Sequence, residues 1–283
     1  MEQFDTMIPV TPVKPVAPYV GGKSKLAKLI ISHINAIPHN AYCEGFVGMG
    51  GIFFRRNKHP KVEVINDYNG EIANLFRILN QHYVPFLDML KWQLSSRREY
   101  NRLIDTRPET LTDLQRAARF LYLQRLAFGG RIDGKNFGVS LNNSAHFNLQ
   151  KIVPLLENVH KRLSSVVIEN FDYKEFIKRY DRLDTLFYLD PPYYGNEDNY
   201  GKGLFSRNEF ALMADLLEQV KGKFILSLND RSEIRELFKN FYIHEVSTLY
   251  CIQKGETRKA NELLISNLPL KDLEHSSNLF PIK

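Results

Sequence analysis

The chain has 283 residues, of which 43% are hydrophobic and 25% charged, so it can bury a substantial core and has a globular composition. The formal net charge is +6, which is compatible with a polyanionic partner. Two distant cysteines exclude a disulfide framework, and no apolar run approaches the roughly 18–20 residues of a membrane span. The N-terminus lacks the features of a signal peptide, so we expect a cytoplasmic protein without membrane contact.

Apolar periodicity and glycine or proline punctuation divide the chain into alternating strands and helices. The predicted strands are, in chain order, Ala41–Phe46, Lys61–Asp67, Ser165–Phe171, Asp184–Asp190 and Lys223–Asn229, followed by two closing strands. Helices are predicted at Lys23–Ile34, from the GIFFRR stretch (51–56) onward, and at Asn69–His82. This alternation predicts an α/β fold, with a largely parallel sheet and helices on both faces.

The texture changes between about Val84 and Lys161, where the chain becomes helical and rich in arginine. A glycine-rich loop, Phe128–Gly138, interrupts this part. We expect residues 70–159 to form a second domain inserted into a discontinuous sheet domain of residues 1–69 and 160–283. In such sheets ligands bind at the carboxyl ends of the strands.

A glycine-rich turn follows the first strand of the predicted sheet. Phe46 closes the strand, and Gly48, Gly50 and Gly51 leave no side chain between the backbone and a ligand. Asp67 ends the next strand about 20 residues later, where a carboxylate can accept hydrogen bonds from ribose hydroxyls. A structural turn with a helix-capping aspartate is the alternative. Turn and acid together favour an adenosine-containing cofactor, whereas the incomplete G-x-G-x-x-G pattern argues against a dinucleotide.

The stretch FYLDPPYYGN, residues 187–196, ends an apolar strand in a carboxylate, two prolines and two tyrosines. Prolines cannot continue a ladder, so Asp190 lies at the mouth of the sheet and the carbonyl of Pro191 becomes a fixed acceptor. Carboxylate and carbonyl form a two-acceptor clamp that suits an exocyclic NH2 group. Tyr193 offers a ring that can stack on a planar base. A proline-terminated strand capped by tyrosines is the alternative.

This clamp predicts a chemistry. An aromatic amine is a poor nucleophile because its lone pair is delocalised into the ring. Hydrogen bonds from its protons to Asp190 and the Pro191 carbonyl would favour a pyramidal nitrogen, whose lone pair can attack an activated methyl such as that of S-adenosylmethionine. The eight histidines show no ligand-like clustering, and methyl transfer needs no metal, so we expect no metal site.

These motifs, in this order, resemble the Dam-like DNA adenine-N6 methyltransferases (D12 class, alpha group), and the likeness covers almost the whole chain. GFVGMGGIF resembles the family's cofactor loop, and DPPY, residues 190–193, resembles its catalytic motif. PYVGGKSKL resembles the N-terminal motif, and ENFDY lies where the family's segment near the cofactor adenine lies. The resemblance implies a Rossmann-like, S-adenosylmethionine-dependent methyltransferase sheet with helices on both faces and an inserted, mainly helical DNA-recognition domain.

The resemblance also implies the site. The residues expected to be catalytic are Asp190, Pro191, Pro192 and Tyr193. The residues expected to bind the cofactor are Tyr19, Lys23, Phe46, Gly48, Gly50, Asp67 and Asp172. LSLND, residues 226–230, resembles a strand near the target pocket, and GETRKANELLISN resembles a terminal family segment. The implied reaction moves the methyl group of S-adenosylmethionine to N6 of a flipped-out adenine in double-stranded DNA.

The implied partner is double-stranded DNA, bound by the arginine-rich insertion. The residues expected to contact it are Arg116, Arg125, Arg131, Lys135 and Tyr194. Arg131 and Lys135 stand out because a glycine-rich loop can enter a groove, whereas a solvated helix face is the alternative for any single arginine. We expect a monomer, with a transient dimer on DNA as the alternative, acting at the nucleoid or encoded by a phage in a bacterial host.

Two departures and two alternatives accompany the resemblance. Gly45 stands where family members usually carry proline, and the 129–138 loop is shorter than the expected recognition hairpin, which leaves a GATC target open. Methylation of protein glutamine or of an RNA base would use similar motifs, but the arginine-rich insertion and the motif order favour DNA. A non-catalytic DNA-binding module would not require the intact Asp190 and Tyr193. Restriction protection, phage self-modification and replication or repair marking are all compatible with the sequence.

Overall fold

A computed structural model describes residues 7–19, 23–93, 95–127, 137, 147–195, 205–251 and 257–271 of the chain. Two short strands, β1 (Ile8–Pro9) and β3 (Lys58–His59), pair with each other, and seven strands form the main sheet. The main-sheet strands are β2 (Ala41–Glu44), β4 (Val62–Asn66), β5 (Val167–Glu169), β6 (Thr185–Leu189), β7 (Lys223–Asn229), β8 (Tyr242–Cys251) and β9 (Thr257–Ser266). The α/β fold predicted from the alternating pattern is confirmed.

Nine α-helices lie within the described ranges. They are α1 (Ala27–Ala36), α2 (Gly70–Gln81), α3 (Tyr83–Leu90), α4 (Arg97–Asp105), α5 (Asp113–Leu126), α6 (Leu149–Leu163), α7 (Tyr173–Tyr180), α8 (Glu209–Glu218) and α9 (Ser232–Leu237). Polar side chains fix several starts: Asn69 accepts the Glu71 N–H before α2, and Thr112 and Gln115 form a capping box at α5. None of the helices among the described residues is long and apolar enough to cross a bilayer.

One predicted element is wrong. The GIFFRR stretch was expected to begin a helix, but only a single 3-10 turn forms, Phe53–Arg55. The chain leaves this turn because Arg56 is extended, with φ −64° and ψ 140°, and leads directly into β3. The guanidinium of Arg56 is buried against the Tyr42 ring and donates to Glu63, so continuing the helix would break a buried ion pair.

Alternate residues of the sheet strands feed two separate hydrophobic clusters, one on each face. On one face Tyr42, Leu186 and Tyr188 join a cluster that includes helices α1, α2, α5 and α6. On the other face Cys43 and Phe187 join a cluster built with α7, α8 and α9. Because both faces are covered, the central strands are apolar on both sides and read as continuous hydrophobic runs.

The order of strands in the main sheet indicates where a ligand-binding crevice forms. The order is β5-β4-β2-β6-β7-β9-β8, and β5, β4, β2, β6 and β7 are parallel. The chain moves outward in one direction from β2 through β4 to β5, and in the other from β6 to β7. The order in which strands are added therefore reverses between β2 and β6. In open α/β sheets, ligands bind in the crevice at the carboxyl ends of the two strands that flank such a reversal.

The last strand runs the other way. β9 is antiparallel to both β7 and β8, with Glu262 of β9 opposite Asn229 at the carboxyl end of β7. A residue in the middle of β9 therefore reaches the same edge of the sheet as residues that follow β2 and β6. This reversal matters for the site described below.

The predicted inserted domain, residues 70–159, packs directly on the sheet. Helix α2 contacts α5, α6 and β5. Apolar side chains of α2, α5 and α6 belong to the same hydrophobic cluster as α1 and the sheet residues Tyr42 and Tyr188. Buried Glu63 of β4 receives hydrogen bonds from both Arg56 and Arg162, so α6 is joined to the sheet by a buried ion triad. The division at residues 70 and 159 stays a prediction.

Candidate active site

A cavity of about 520 Å³ opens at the carboxyl ends of β2 and β6. Its described walls come from the segment before α1, the turn after β2, the end of β4, α5 and the segment after β6. Lining residues used below are Tyr19, Lys23, Glu44, Phe46, Gly48, Arg55, Asp67, Arg125, Tyr188, Asp190 and Pro192. Motifs that are distant in the chain thus surround one space of the size usual for small-molecule sites.

The turn after β2 and the end of β4 are tied together at this cavity. Asp67 accepts a hydrogen bond from the Gly48 N–H at 2.8 Å and one from the Asn69 N–H at 2.9 Å. Gly48 has φ +51°, and a Cβ there would lie 3.0 Å from the Tyr19 ring. Gly50 has φ +72°, and a Cβ there would collide with the ring of Phe54. Both glycines are required by backbone conformation and by close packing.

Burial raises the pKa of Asp67 to about 6, although the two backbone N–H groups oppose this shift. Both of its oxygens hold a backbone donor, yet a carboxylate has about four acceptor positions. Each oxygen therefore keeps a second position for a ligand hydroxyl. Asp67 is a rigid acceptor, because its two present partners belong to the main chain.

Asp190 lines the same cavity in a different setting. Its carboxylate lies 2.9 Å from the ammonium of Lys23, which also lies 3.2 Å from Glu262. The same ammonium donates to the Tyr193 hydroxyl and lies 4.2 Å from the centre of that ring. Lys23 is 3% exposed, so one buried cation is shared by two carboxylates and a phenol.

Burial raises the pKa of Asp190 to about 6 as well, with Lys23 lowering it and Glu262 raising it. Neighbouring Glu44 is fully enclosed, and burial raises its pKa to about 8, so it carries a proton at neutral pH. Tyr42 donates to Glu44 at 2.6 Å. Asp190 therefore differs from Asp67 in that its partner is a side chain, Lys23.

The segment after Asp190 is held at its far end. The backbone N–H of Tyr194 donates to the side-chain oxygen of Asn229 at 3.0 Å, and the Asn229 amide donates to the Tyr194 carbonyl at 3.0 Å. The Tyr194 ring packs against Phe210 of α8, and Arg207 lies over its face. Tyr194 is thus an anchor of the Asp-Pro-Pro-Tyr segment, with its ring packed against the cluster that includes α8.

Comparison with known proteins agrees with this geometry. The sequence profile of the family described as "D12 class N6 adenine-specific DNA methyltransferase" matches residues 19–252, most of the chain. The chain belongs to this family. The enzyme is therefore an N6-adenine DNA methyltransferase, and the resemblance stated from its motifs is confirmed.

Curated relatives extend over nearly the whole methyltransferase. The type II methyltransferase M1.LlaDCHI of Lactococcus lactis subsp. cremoris is 28% identical over 278 residues, covering 90% of this chain and 95% of the relative. The type II methyltransferase M.CviBI of Paramecium bursaria Chlorella virus NC1A is 25% identical, covering 92% of this chain and 100% of the relative. The DNA adenine methylase of Haemophilus influenzae is 26% identical, covering 89% and 92%.

The residues expected to hold the cofactor do not all line the cavity of the methyltransferase. Tyr19, Lys23, Phe46, Gly48 and Asp67 are among the lining residues, and the Phe46 ring packs between Tyr173 and Phe205. Gly50 belongs to the same turn and packs against Phe54, but it is not among the described lining residues. Asp172 caps helix α7 by accepting the Lys174 N–H at 2.8 Å, and it is not among the described lining residues.

The residues expected to contact DNA have several surroundings. Arg116 pairs with Glu71 and, at 3.5 Å, with Asp113, beside a second cavity of about 400 Å³ between α2, α5 and β5. Arg125 lines the main cavity and donates to the Val16 carbonyl at 2.5 Å. Arg131 and Lys135 lie outside the described residues. Their DNA contacts stay predictions.

Four residues of the site were missed by sequence reasoning. They are Glu44, Arg55, Tyr188 and Glu262. Glu44 and Tyr188 each lie two residues before a strand end that was recognised, so the period-two alternation of a strand would have put both on one face of the sheet. Asn229 belongs to the LSLND segment, which the resemblance already put near the target pocket. Glu262 carries no such signal, because its place depends on the antiparallel pairing of β9 with β7. Among the described residues, no group of three or more acidic, histidine or cysteine side chains is arranged as a metal site.

Proposed function

We propose that this enzyme transfers the methyl group of S-adenosylmethionine to N6 of an adenine that has been flipped out of double-stranded DNA. The observation that carries the proposal is the position of Asp190 at the end of β6, facing the same cavity as Asp67 and the Gly48 turn. A carboxylate for the amine and a carboxylate for the ribose thus line one space.

The residues present suit the cofactor. The cavity volume of about 520 Å³ accommodates a nucleoside with an amino-acid tail. The second acceptor positions of Asp67 match the two hydroxyls of a ribose, and Gly48 allows close approach of the backbone. The Tyr188 hydroxyl is buried without a hydrogen-bond partner among the described residues, as expected for a group that awaits a polar ligand.

The amine end follows from the acceptors that surround it. Asp190 and the Pro191 carbonyl accept the two N6 protons, which favours a pyramidal nitrogen with an available lone pair. S-adenosylmethionine would supply, when bound, a methyl on a positively charged sulfur that can leave with the electron pair of the carbon–sulfur bond when the N6 lone pair attacks the methyl. Asp190 then accepts the proton that the methylated nitrogen releases. Tyr193 and Pro192 hold the base in the plane required for in-line transfer.

The DNA side of the proposal rests on charge and accessibility. A base inside a duplex cannot reach Asp190, so the target nucleotide must rotate out of the helix. We assign phosphate and groove contacts to the arginine-rich segment 70–159, including Arg116, Arg131 and Lys135, and we assign recognition to the 128–138 loop. Arg125 and Tyr194 are proposed at the margin of the base pocket. We propose that a monomer performs the reaction.

Expression in a bacterial host that lacks adenine methylation tests this proposal. Single-molecule sequencing of the host DNA should show N6-methyladenine at one recurrent sequence, and that sequence supplies the duplex for later assays. Purified protein should also transfer radiolabelled methyl groups from S-adenosylmethionine to the same DNA. Methylated adenine at no site, together with an inactive purified protein that still binds S-adenosylmethionine, would refute the assignment.

A further inference from the structure

The Lys23 ammonium and the Asp190 carboxylate line the same cavity and form an ion pair, so an amine that binds Asp190 competes with the ammonium. Lys23 lies 2.9 Å from the Asp190 carboxylate and is 3% exposed. An incoming NH2 group needs the same acceptor. Lys23 contacts the Oδ1 atom of Asp190, so an amine that bonds to this oxygen weakens the hold on the ammonium. This happens inside the protein, where an unpaired charge is costly.

Glu262 is placed to receive this charge. Its carboxylate lies 3.2 Å from the Lys23 ammonium, and Glu262 is 2% exposed. Its strand β9 runs antiparallel to β7, which brings Glu262 opposite Asn229 at the carboxyl edge of the sheet. The Ser227 hydroxyl donates to Glu262 at 3.4 Å from the neighbouring strand. Glu262 is thus a buried acid that accepts a hydrogen bond from Ser227 of β7 and forms an ion pair with Lys23, the lysine that also pairs with Asp190.

We propose that Glu262 is a positioning residue that holds the Lys23 ammonium when the amine takes its place on Asp190, so that Lys23 moves between two carboxylates. The inference rests on the proposed function, because it assumes that an amine binds Asp190. The proton stays on Lys23 throughout, and no covalent bond changes in this movement. Two carboxylates and one cation leave the pocket with one net negative charge, so a neutral amine can enter without expelling Lys23 to water.

Besides burial, which raises it most, two charged groups shift the pKa of Asp190. Lys23 lowers it, whereas Glu262 raises it. Glu44 of β2 and the Tyr188 hydroxyl of β6 interact with the same carboxylate from the neighbouring strands. Because Lys23 lowers the pKa of Asp190 and Glu262 raises it, removing one or the other is predicted to move the acid limb of kcat/KM in opposite directions.

The test is a double-mutant cycle on Lys23 and Glu262. Glu262→Gln should lower kcat about 100-fold, because Lys23 then stays on Asp190. The Kd for an unmethylated duplex that contains the mapped target sequence should change less than about three-fold. In the Lys23→Met background the same change should alter kcat less than about three-fold, because no cation remains to be held. Glu262→Asp keeps the charge and should recover a measurable part of the loss.

Two readouts separate this role from simple loss of folding. The acid limb of kcat/KM, near pH 6 in the wild type because Asp190 must be ionised in the free enzyme, should move to lower pH in Glu262→Gln and to higher pH in Lys23→Met. Thermal unfolding, which needs no substrate, should show that Glu262→Gln lowers Tm in the wild type and raises it in Lys23→Met, where it removes an unpaired buried carboxylate.

The outcomes decide between the two proposals. A wild-type protein that methylates DNA, with an equal cost of Glu262→Gln in both backgrounds and an unmoved acid limb, would overturn the role of Glu262 alone. A wild-type protein that methylates no DNA would overturn the proposed function. In that case the Tm cycle still reports whether Lys23 and Glu262 form a coupled buried pair.

Discussion

Two carboxylates follow two parallel strands of the same sheet, and they differ in what holds them. Asp67, after β4, and Asp190, after β6, both have pKa values raised to about 6 by burial. Asp67 is bound by two backbone N–H groups, whereas Asp190 is bound by the side chain of Lys23. A main-chain donor cannot leave and a side-chain donor can. Asp67 is therefore suited to constant binding, and Asp190 to an exchange of partners during a reaction.

The largest effect is expected at the exchangeable carboxylate. Asp190→Asn keeps the shape but replaces one acceptor by an NH2 group, which faces the incoming amine and cannot accept the released proton. We expect methyl transfer to fall about a thousand-fold, while the Kd for S-adenosylmethionine changes less than about three-fold. A radiolabelled-methyl assay and calorimetric titration measure the two quantities. Substantial residual transfer would remove Asp190 from the chemistry.

The fixed carboxylate should show the reverse pattern. Asp67→Asn leaves one acceptor oxygen and opposes its NH2 group to a backbone N–H, so the Gly48 turn loosens and the ribose loses a partner. We expect the Kd for S-adenosylmethionine to rise about thirty-fold, equivalent to about 2 kcal/mol, measured by calorimetry.

Asp172→Asn is the matched control, because it makes the same chemical change and keeps the cap of α7. A similar rise in Kd would support the predicted contact between Asp172 and the cofactor. An unchanged Kd would limit Asp172 to its role as a helix cap. An unchanged Kd for S-adenosylmethionine in Asp67→Asn itself would show that Asp67 does not bind the cofactor, and would contradict the different roles assigned to the two carboxylates.

A smaller effect is expected where the Asp190 segment is anchored. Asn229→Ala removes both hydrogen bonds to the Tyr194 backbone, so the segment that carries Asp190 and Tyr193 can shift. We expect kcat to fall about ten-fold, because alignment of the amine is lost while its acceptors remain. Tyr194→Phe is the control: it keeps the backbone and the packing on Phe210, and kcat should change less than about two-fold. Steady-state kinetics on the mapped duplex distinguish these results.

The sequence was informative wherever chemistry follows a strand end. The apolar runs before Phe46, Asp67 and Asp190 predicted three parallel strands, and all three are present within one or two residues. The glycines of the turn were recognisable because positive φ restricts the choice of residue, and Gly48 and Gly50 both have it. Local backbone rules are enough for such features.

Expectations that concerned side-chain direction were less secure. Lys23 was expected to contact the cofactor, and it does line the cavity, but its ammonium is held by Asp190 and Glu262. The Tyr194 ring was expected to contact DNA; it packs on Phe210 of α8, and its DNA contact stays a prediction. A sequence specifies which side chains are available at a strand end, but which of them point inward depends on the neighbouring strands and helices.

The amino-acid sequence by itself determined the alternating fold, the glycine turn, the two acidic strand ends and the family, because each depends on local residue order. Only the tertiary structure decided that Glu262 shares Lys23 with Asp190. That contact joins residues 23, 190 and 262 through an antiparallel strand at the edge of a parallel sheet. Strand order and direction are set by packing over the whole sheet, which no short motif contains.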